Sequence, residues 1–305
     1  MDSLENLTRQ MDGARDIKSV VRTMKALAAA NIGQYERAVA ALGDYYRTVA
    51  LGLVAYLQSE PVPEPGGKTA RPAPRSVLPP VIGAVVFGSD QGLVGSFNNT
   101  LADFVAHTLA PLPGTKQVWA VGERVQHLLA DASLPVAANF PVPTAITSIT
   151  PLVAQLLLKA QQALDDGSLT ECYVFHNQPH AGTGYSAVSQ RLLPLDRQWQ
   201  QTLAAFHWPT TTRPEVAGVR LPTLLTLIGE YLFVSLFRAC AESLASENAS
   251  RLTAMQRAEK NIDELLDTLS HQYHRERQST IDEELFDVVS GFEALNADHA
   301  KKKRR

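Results

Sequence analysis

Cysteine is almost missing from this chain. Only Cys172 and Cys240 occur in 305 residues, and their separation fits no metal-ligand spacing. Two thiols in a reducing compartment are expected rather than a disulfide. An excess of charge of one sign is also lacking. A formal net charge of −3 gives no general attraction for nucleic acid. The opening residues, MDSLENLTRQMDGARD, are charged and amphipathic, so they are not read as a signal peptide. The most apolar window, Leu221 to Ala239, carries Glu230 centrally and Arg238 near its end. Central charge is costly in a bilayer, so a buried helix is expected there, with no direct membrane insertion and a cytoplasmic location. Chemistry is sparse as well. No serine has an evident His and Asp arrangement, and the carboxylates are spread along helix surfaces, so no catalytic residue is assigned. His271 and His274, with Glu276 nearby, lack an evident third ligand. They are read as exposed helix face, and neither a metal nor a cofactor is assigned.

Proline is the next absence. From Leu224 to Leu295 there is none, and the only glycines are Gly229 and Gly291. Ala, Leu, Glu, Gln, Arg and Lys dominate, residues that lose little side-chain freedom in a helix. At 1.5 Å per residue such a helix would be roughly 100 Å long, longer than an ordinary domain is wide. Two clean apolar runs mark it, Met255, Ala258, Ile262, Leu265 and Leu269, then Ile281, Leu285, Val288, Phe292 and Leu295. They are out of register, with polar Gln272 to Gln278 between them. At the other end, Leu4, Leu7, Met11, Ala14, Ile17, Val21, Met24 and Ala28 recur at steps of three or four. That is a narrow coiled-coil seam on a helix reaching about Leu57.

Between the two helices lie a linker and a mixed segment. Residues 59–80 hold seven prolines and adjacent Gly66 and Gly67, which neither helix nor central strand tolerates. Strand and helix patterns then alternate. Strands are expected at Val81 to Phe87, Gln117 to Val121, Val136 to Phe140, Glu171 to His176 and Ser186 to Leu193. Helices are expected at Asn98 to Ala110, Glu123 to Asp131 and Thr150 to Leu164. The alternation implies a mostly parallel sheet with helices on its faces and the last strand antiparallel. Leu195 to Pro222 shows no clear period and reads as an irregular return. The boundaries expected are therefore 1–58 for the first helix, 59–80 for the linker and 81–222 for the α/β domain. The second helix then takes 223–295 and a basic tail 296–305, ending in five consecutive cations from Lys301 to Arg305. The glycine-rich turn Gly88 to Ser96 follows the first strand, but its spacing fits neither the dinucleotide fingerprint nor the P-loop. Ser89, Asp90, Gly92 and Gly95 are read as a structural turn.

Three separated blocks carry a resemblance. The run Ser246-Glu247-Asn248-Ala249-Ser250-Arg251-Leu252-Thr253-Ala254-Met255, followed by Ala258, Asn261, Leu269, Tyr273, Arg275, Arg277-Gln278, Ile281, Glu284-Leu285, Val289 and Gly291, resembles the gamma subunit of rotary F-type ATP synthases. Ser19-Val20, Thr23-Met24, Leu27 and Ala28-Ala29 resemble that family's first helix, and Ser89-Asp90, Gly92-Leu93 and Gly95 its glycine turn. The resemblance implies an α/β protein in which the terminal helices form a long antiparallel coiled coil beside a Rossmann-like, mostly parallel sheet domain. It implies a central-stalk rotor, without catalysis of its own, in a proton- or sodium-translocating ATP synthase. Its partners would be the alpha and beta subunits of the catalytic ring, the epsilon subunit and the membrane c-ring. Residues toward the catalytic subunits would be Met24, Lys25, Arg277, Gln278, Asp282 and Glu284. The polar break in the last helix would mark where the shaft turns from its own partner helix toward the surrounding subunits.

Departures from the family pattern are Asp282 in place of a frequent threonine, His274 for asparagine, Gln91 for arginine and Val94 for cysteine. Asn31, Gly33 and Gln34 stand where a basic cluster is usual. They point to a divergent branch of the alternate or sodium-type bacterial kind. The competing expectation is a free-standing coiled-coil adaptor whose α/β module binds a ligand or partner.

Overall fold

The computed structural model describes residues 2–59, 80–180, 184–195, 199, 203, 208, 210, 212 and 219–302. Nearly all of the Pro-rich linker, most of the irregular return and the last three residues of the basic tail fall outside them. Element order is α1 (Asp2–Ser59), β1 (Val81–Phe87), α2 (Phe97–Leu109), β2 (Thr115–Val121), α3 (Glu123–Asp131) and β3 (Val136–Phe140). A 3-10 turn, Ile146–Ser148, then leads into α4 (Ile149–Asp165), β4 (Glu171–Pro179), β5 (Tyr185–Leu193) and α5 (Arg220–Lys302). The helix α5 runs 83 residues and passes beyond Leu295 into the cationic end. The chain divides into two compact units, Met1–Leu27 with Thr253–Arg305, and Ala28–Leu252.

In the first unit the two helix segments pair antiparallel. Lys18 binds Asp263, and Lys25 and Arg22 bind opposite oxygens of Glu259, the latter at 2.8 Å. Along α1 the inward positions are Leu4, Leu7, Met11, Ala14, Lys18, Val21 and Lys25. Along α5 they are Met255, Glu259, Ile262, Leu266, Leu269 and Tyr273. Alternating steps of three and four keep one stripe facing its partner. Two expected seam residues are displaced. Ile17 is 58% exposed and Leu265 is 49% exposed, and their neighbours Lys18 and Leu266 take the inward positions. Apolar spacing cannot find Lys18, because a lysine buries its methylene stem while its ammonium reaches a carboxylate.

In the second unit a five-stranded sheet has the order β3-β2-β1-β4-β5. β1 pairs parallel with β2 and β4, and β2 with β3. β4 and β5 pair antiparallel. Alternate residues serve two cores, as the period of a strand requires. Ile82, Ala84 and Val86 of β1 meet Leu101, Val105 and Leu109 of α2 and Val125 and Leu129 of α3. Val85 and Phe87 face the opposite side, onto Val153 and Leu156 of α4 and Leu236, Cys240 and Leu244 of α5. The apolar window at the start of α5 is long and apolar enough to cross a membrane. It nevertheless buries Tyr231, Val234, Leu236 and Phe237 in protein, and Glu230 accepts a hydrogen bond from Tyr45 at 2.7 Å.

Where α5 crosses the carboxyl ends of the strands, its serines donate to backbone carbonyls there. Ser243 donates to Phe87 O at 2.8 Å, Ser246 to Asn177 O at 2.9 Å and Ser250 to Val94 O at 2.5 Å. These serines recur at steps of three and four on a helix face otherwise filled by small residues, which lets the helix approach the sheet edge. Ser243→Ala removes a buried hydrogen bond to the Phe87 carbonyl, so it should destabilise the chain by about 0.5–1.5 kcal/mol. Urea unfolding would show a lower midpoint at unchanged slope.

Candidate functional site

Two surfaces gather the residues singled out from sequence. The first is the helix pair of the first unit. Met24 is half-buried, and Lys25 is half-buried and engaged with Glu259. Arg277, Gln278, Asp282 and Glu284 are exposed. Gln278 donates to Asp282 at 3.3 Å, one turn on. The pairing of Lys18 with Asp263 and of Arg22 with Glu259 sets an antiparallel register. Continued to the start of α1, that register brings Asp2 opposite Ser279. α5 therefore outruns its partner from about Thr280 onward, and side chains 281–290 are all exposed. Among them, Ile281, Leu285, Val288 and Val289 lie on one face. A stripe with this spacing ordinarily buries itself, and nothing in the chain covers it among the described residues.

The electrostatics of the seam centre on Glu259. Hydrogen bonds from Lys25 and Arg22 hold its carboxyl down to about 2, from an ordinary value of 4.5. A carboxyl depressed in the folded state stabilises it above the unfolded value, and that contribution disappears as pH falls toward the folded value. The helix pair should thus weaken between pH 4.5 and about 2. Glu259→Gln should flatten acid unfolding across that window, as followed by helical circular dichroism.

The second surface is the turn after β1. Ser89 is buried, donates to Gln91 O at 2.9 Å and accepts from Asn98 Nδ2 at 2.8 Å. The Asp90 carboxylate accepts from the backbone amides of Glu123 at 3.0 Å and Val142 at 2.9 Å. It thereby ties three loops together at the carboxyl edge of the sheet. Gly95 has φ +56, and Leu93 shares the left-handed region at φ 63. A Cβ at Gly92 would meet Arg124 only at ordinary contact distance, whereas one at Gly88 would come 2.3 Å from Val125. The close approach in this turn is therefore at Gly88. His271 and His274 are exposed, and among the described residues no group of three His, Cys, Asp or Glu is placed to hold a metal ion.

Sequence reasoning did not find two buried ion clusters. His176 Nε2 and Arg238 Nε lie 2.8 and 2.7 Å from the two oxygens of Glu242. Burial alone would push Glu242 up, but the hydrogen bonds from His176 and Arg238 outweigh it and hold the carboxyl below its ordinary value. One turn on, Glu247 accepts from Arg251 at 2.6 Å through one oxygen only. Burial raises its carboxyl, Arg251 opposes that rise, and repulsion from Asp90 adds to it. The signal that could have found both is a glutamate four residues from an arginine within an otherwise small and apolar helix face.

Fold and surfaces together define a class. It pairs terminal helices and adds a Rossmann-like sheet unit, with apolar and charged helix surface left open for contact with other proteins. The chain belongs to the ATP synthase family, whose model matches residues 3–295. It is 26% identical over 303 residues to the ATP synthase gamma chain of Desulfitobacterium hafniense, covering 97% of this chain and 100% of that one. The fold matches a chain of the Euglena gracilis mitochondrial ATP synthase OSCP/F1/c-ring assembly in rotational state 3. The TM-score is 0.62 at 15% identity, over 97% of this chain and 95% of that one. A chain of the Euglena gracilis ATP synthase rotor matches with TM-score 0.58 at 14% identity, over 92% and 99%.

Proposed function

We propose that this chain is the central-stalk rotor subunit of a proton- or sodium-translocating ATP synthase, the counterpart of the gamma chains it resembles. The observation that carries this reading is the uncovered apolar stripe Ile281, Leu285, Val288 and Val289 on a helix that has outrun its own partner. Apolar stripes of this kind mark protein contact sites. The stripe and the exposed Arg277, Gln278, Asp282 and Glu284 would face the alpha and beta subunits. The sheet unit would meet the epsilon subunit and the c-ring at the cytoplasmic face of the membrane. An asymmetric shaft makes different contacts with otherwise equivalent subunits, and so shifts each one's conformational equilibrium by the difference in contact free energy. That role requires no catalytic group in this chain.

A tagged chain purified from its native host should bring down alpha, beta, epsilon and c subunits. Recovery of the chain alone, from membranes that contain an active ATP synthase, would rule out the rotor and favour the free-standing adaptor. Asn31→Lys should change the turnover of the assembled ATPase while leaving the chain folded. Identical hydrolysis rates would show position 31 to be inert.

A further inference from the structure

A cavity of about 230 Å3 opens at the carboxyl edge of the parallel strands, the edge at which ligands bind in open α/β sheets. Glu247, Asp90, Asn31, Tyr35, Gln91 and Asn248 line it. Glu247 is 6% exposed, and its Oε2 is buried with no hydrogen-bond partner. A carboxylate oxygen in that position is costly unless something donates to it. Two carboxyl groups, of Asp90 and Glu247, stand with one guanidinium, that of Arg251, so the lining carries no positive excess. The oxygens of Asp90 are both taken by backbone amides, so Glu247 Oε2 is the free acceptor. Tyr35, Asn31, Gln91 and Asn248 line the same cavity, with Asn31 donating to Asn248 Oδ1 at 3.4 Å and Asn248 to Leu244 O at 2.8 Å. No positive excess draws an anion there. A guanidinium fork wants two coplanar oxygens, and the other oxygen of Glu247 is already bound by Arg251. No cluster of three metal-ligating side chains is present among the described residues. What remains is a compact cation with three N–H donors spread tetrahedrally.

We propose that this cavity binds one primary ammonium group, with Glu247 Oε2 as its principal acceptor. The ammonium comes either from a lysine side chain of a subunit docked on this edge or from a free amine. The inference does not rest on the rotor reading, because the site is built entirely from this chain.

Calorimetric titration of the full chain tests it, with ethylammonium chloride as probe and tetramethylammonium chloride, which has no N–H, as control. Ethylammonium should bind saturably at one site and the control should not. Glu247→Gln should weaken binding by about tenfold or more, because a charge-assisted bond is lost. Should that variant fail to fold, Asn31→Lys decides, since it supplies an ammonium from a lining position on α1. It should be more heat-stable than the natural chain and no longer bind ethylammonium. Equal uptake of both cations, undiminished binding in either variant, or no saturable binding at all overturns the proposal and leaves the cavity to ordered water. The assembled complex then separates the sources. Loss of ethylammonium binding on assembly identifies a partner's lysine, and retention identifies a free amine.

Discussion

Replacing Leu285 and Val288 together by aspartate leaves this chain folded and abolishes its recovery in an ATP synthase complex. Both side chains are exposed, at 63% and 72%, so the substitutions remove no internal contact and the helical circular dichroism spectrum should not change. In an assembled ring the same two side chains would be covered. Losing the burial of a leucine and a valine costs about 4 kcal/mol, roughly a thousandfold in affinity. Burying two carboxylates in their place adds to that cost. Pull-down of alpha and beta subunits, quantified against the natural chain, reads the effect. Normal recovery would mean that the stripe faces solvent in the complex and that the contact lies elsewhere on the helices.

Glu242→Ala should be the most damaging single change within the chain itself. Glu242 is 4% exposed and serves both His176 and Arg238, joining β4 to α5. Removing one member of a buried ion cluster strands the others, and such losses run to about 3–5 kcal/mol. Urea unfolding should show a loss of that order, with Glu242→Gln intermediate because its amide still fills the space and accepts one bond. A loss below about 1 kcal/mol would mean that His176 and Arg238 find water or other partners, as exposed pairs do.

Much of the architecture was legible because long periodic segments leave few alternatives. The absence of proline from Leu224 onward, the seam of α1 and the alternation of short apolar runs with helical spacing led to two long terminal helices and the mostly parallel sheet, and the family resemblance implied that the helices pair. Boundaries moved by a few residues for physical reasons. α5 continues to Lys302 because Asn, Ala, Asp and His after Leu295 carry no breaker. β4 extends to Pro179 because its antiparallel pairing with β5 reaches Tyr185. The seam shifted at Ile17 because the ion pair of Lys18 with Asp263 holds a lysine stem inward, which hydropathy cannot register, and at Leu265 because Leu266, an equally apolar neighbour, faces the partner helix.

The buried clusters around Glu242 and Glu247 were hidden for a related reason. A glutamate and an arginine four apart read as exposed helix surface until the sheet that covers them is placed. The turn at Ser89 and Asp90 was visible from its glycines. Its tie to Val142 was not, since that contact joins loops 52 residues apart.

The most direct measurement follows the chain while the complex hydrolyses ATP. Cys172 and Cys240 are both buried, so a cysteine introduced at exposed Leu158 on α4 takes a light-scattering probe selectively. With the complex anchored through its catalytic ring, the probe should rotate continuously in one direction, starting with ATP and stopping when it is removed. A probe that stays fixed while ATP is hydrolysed at the normal rate would place this chain outside the rotor.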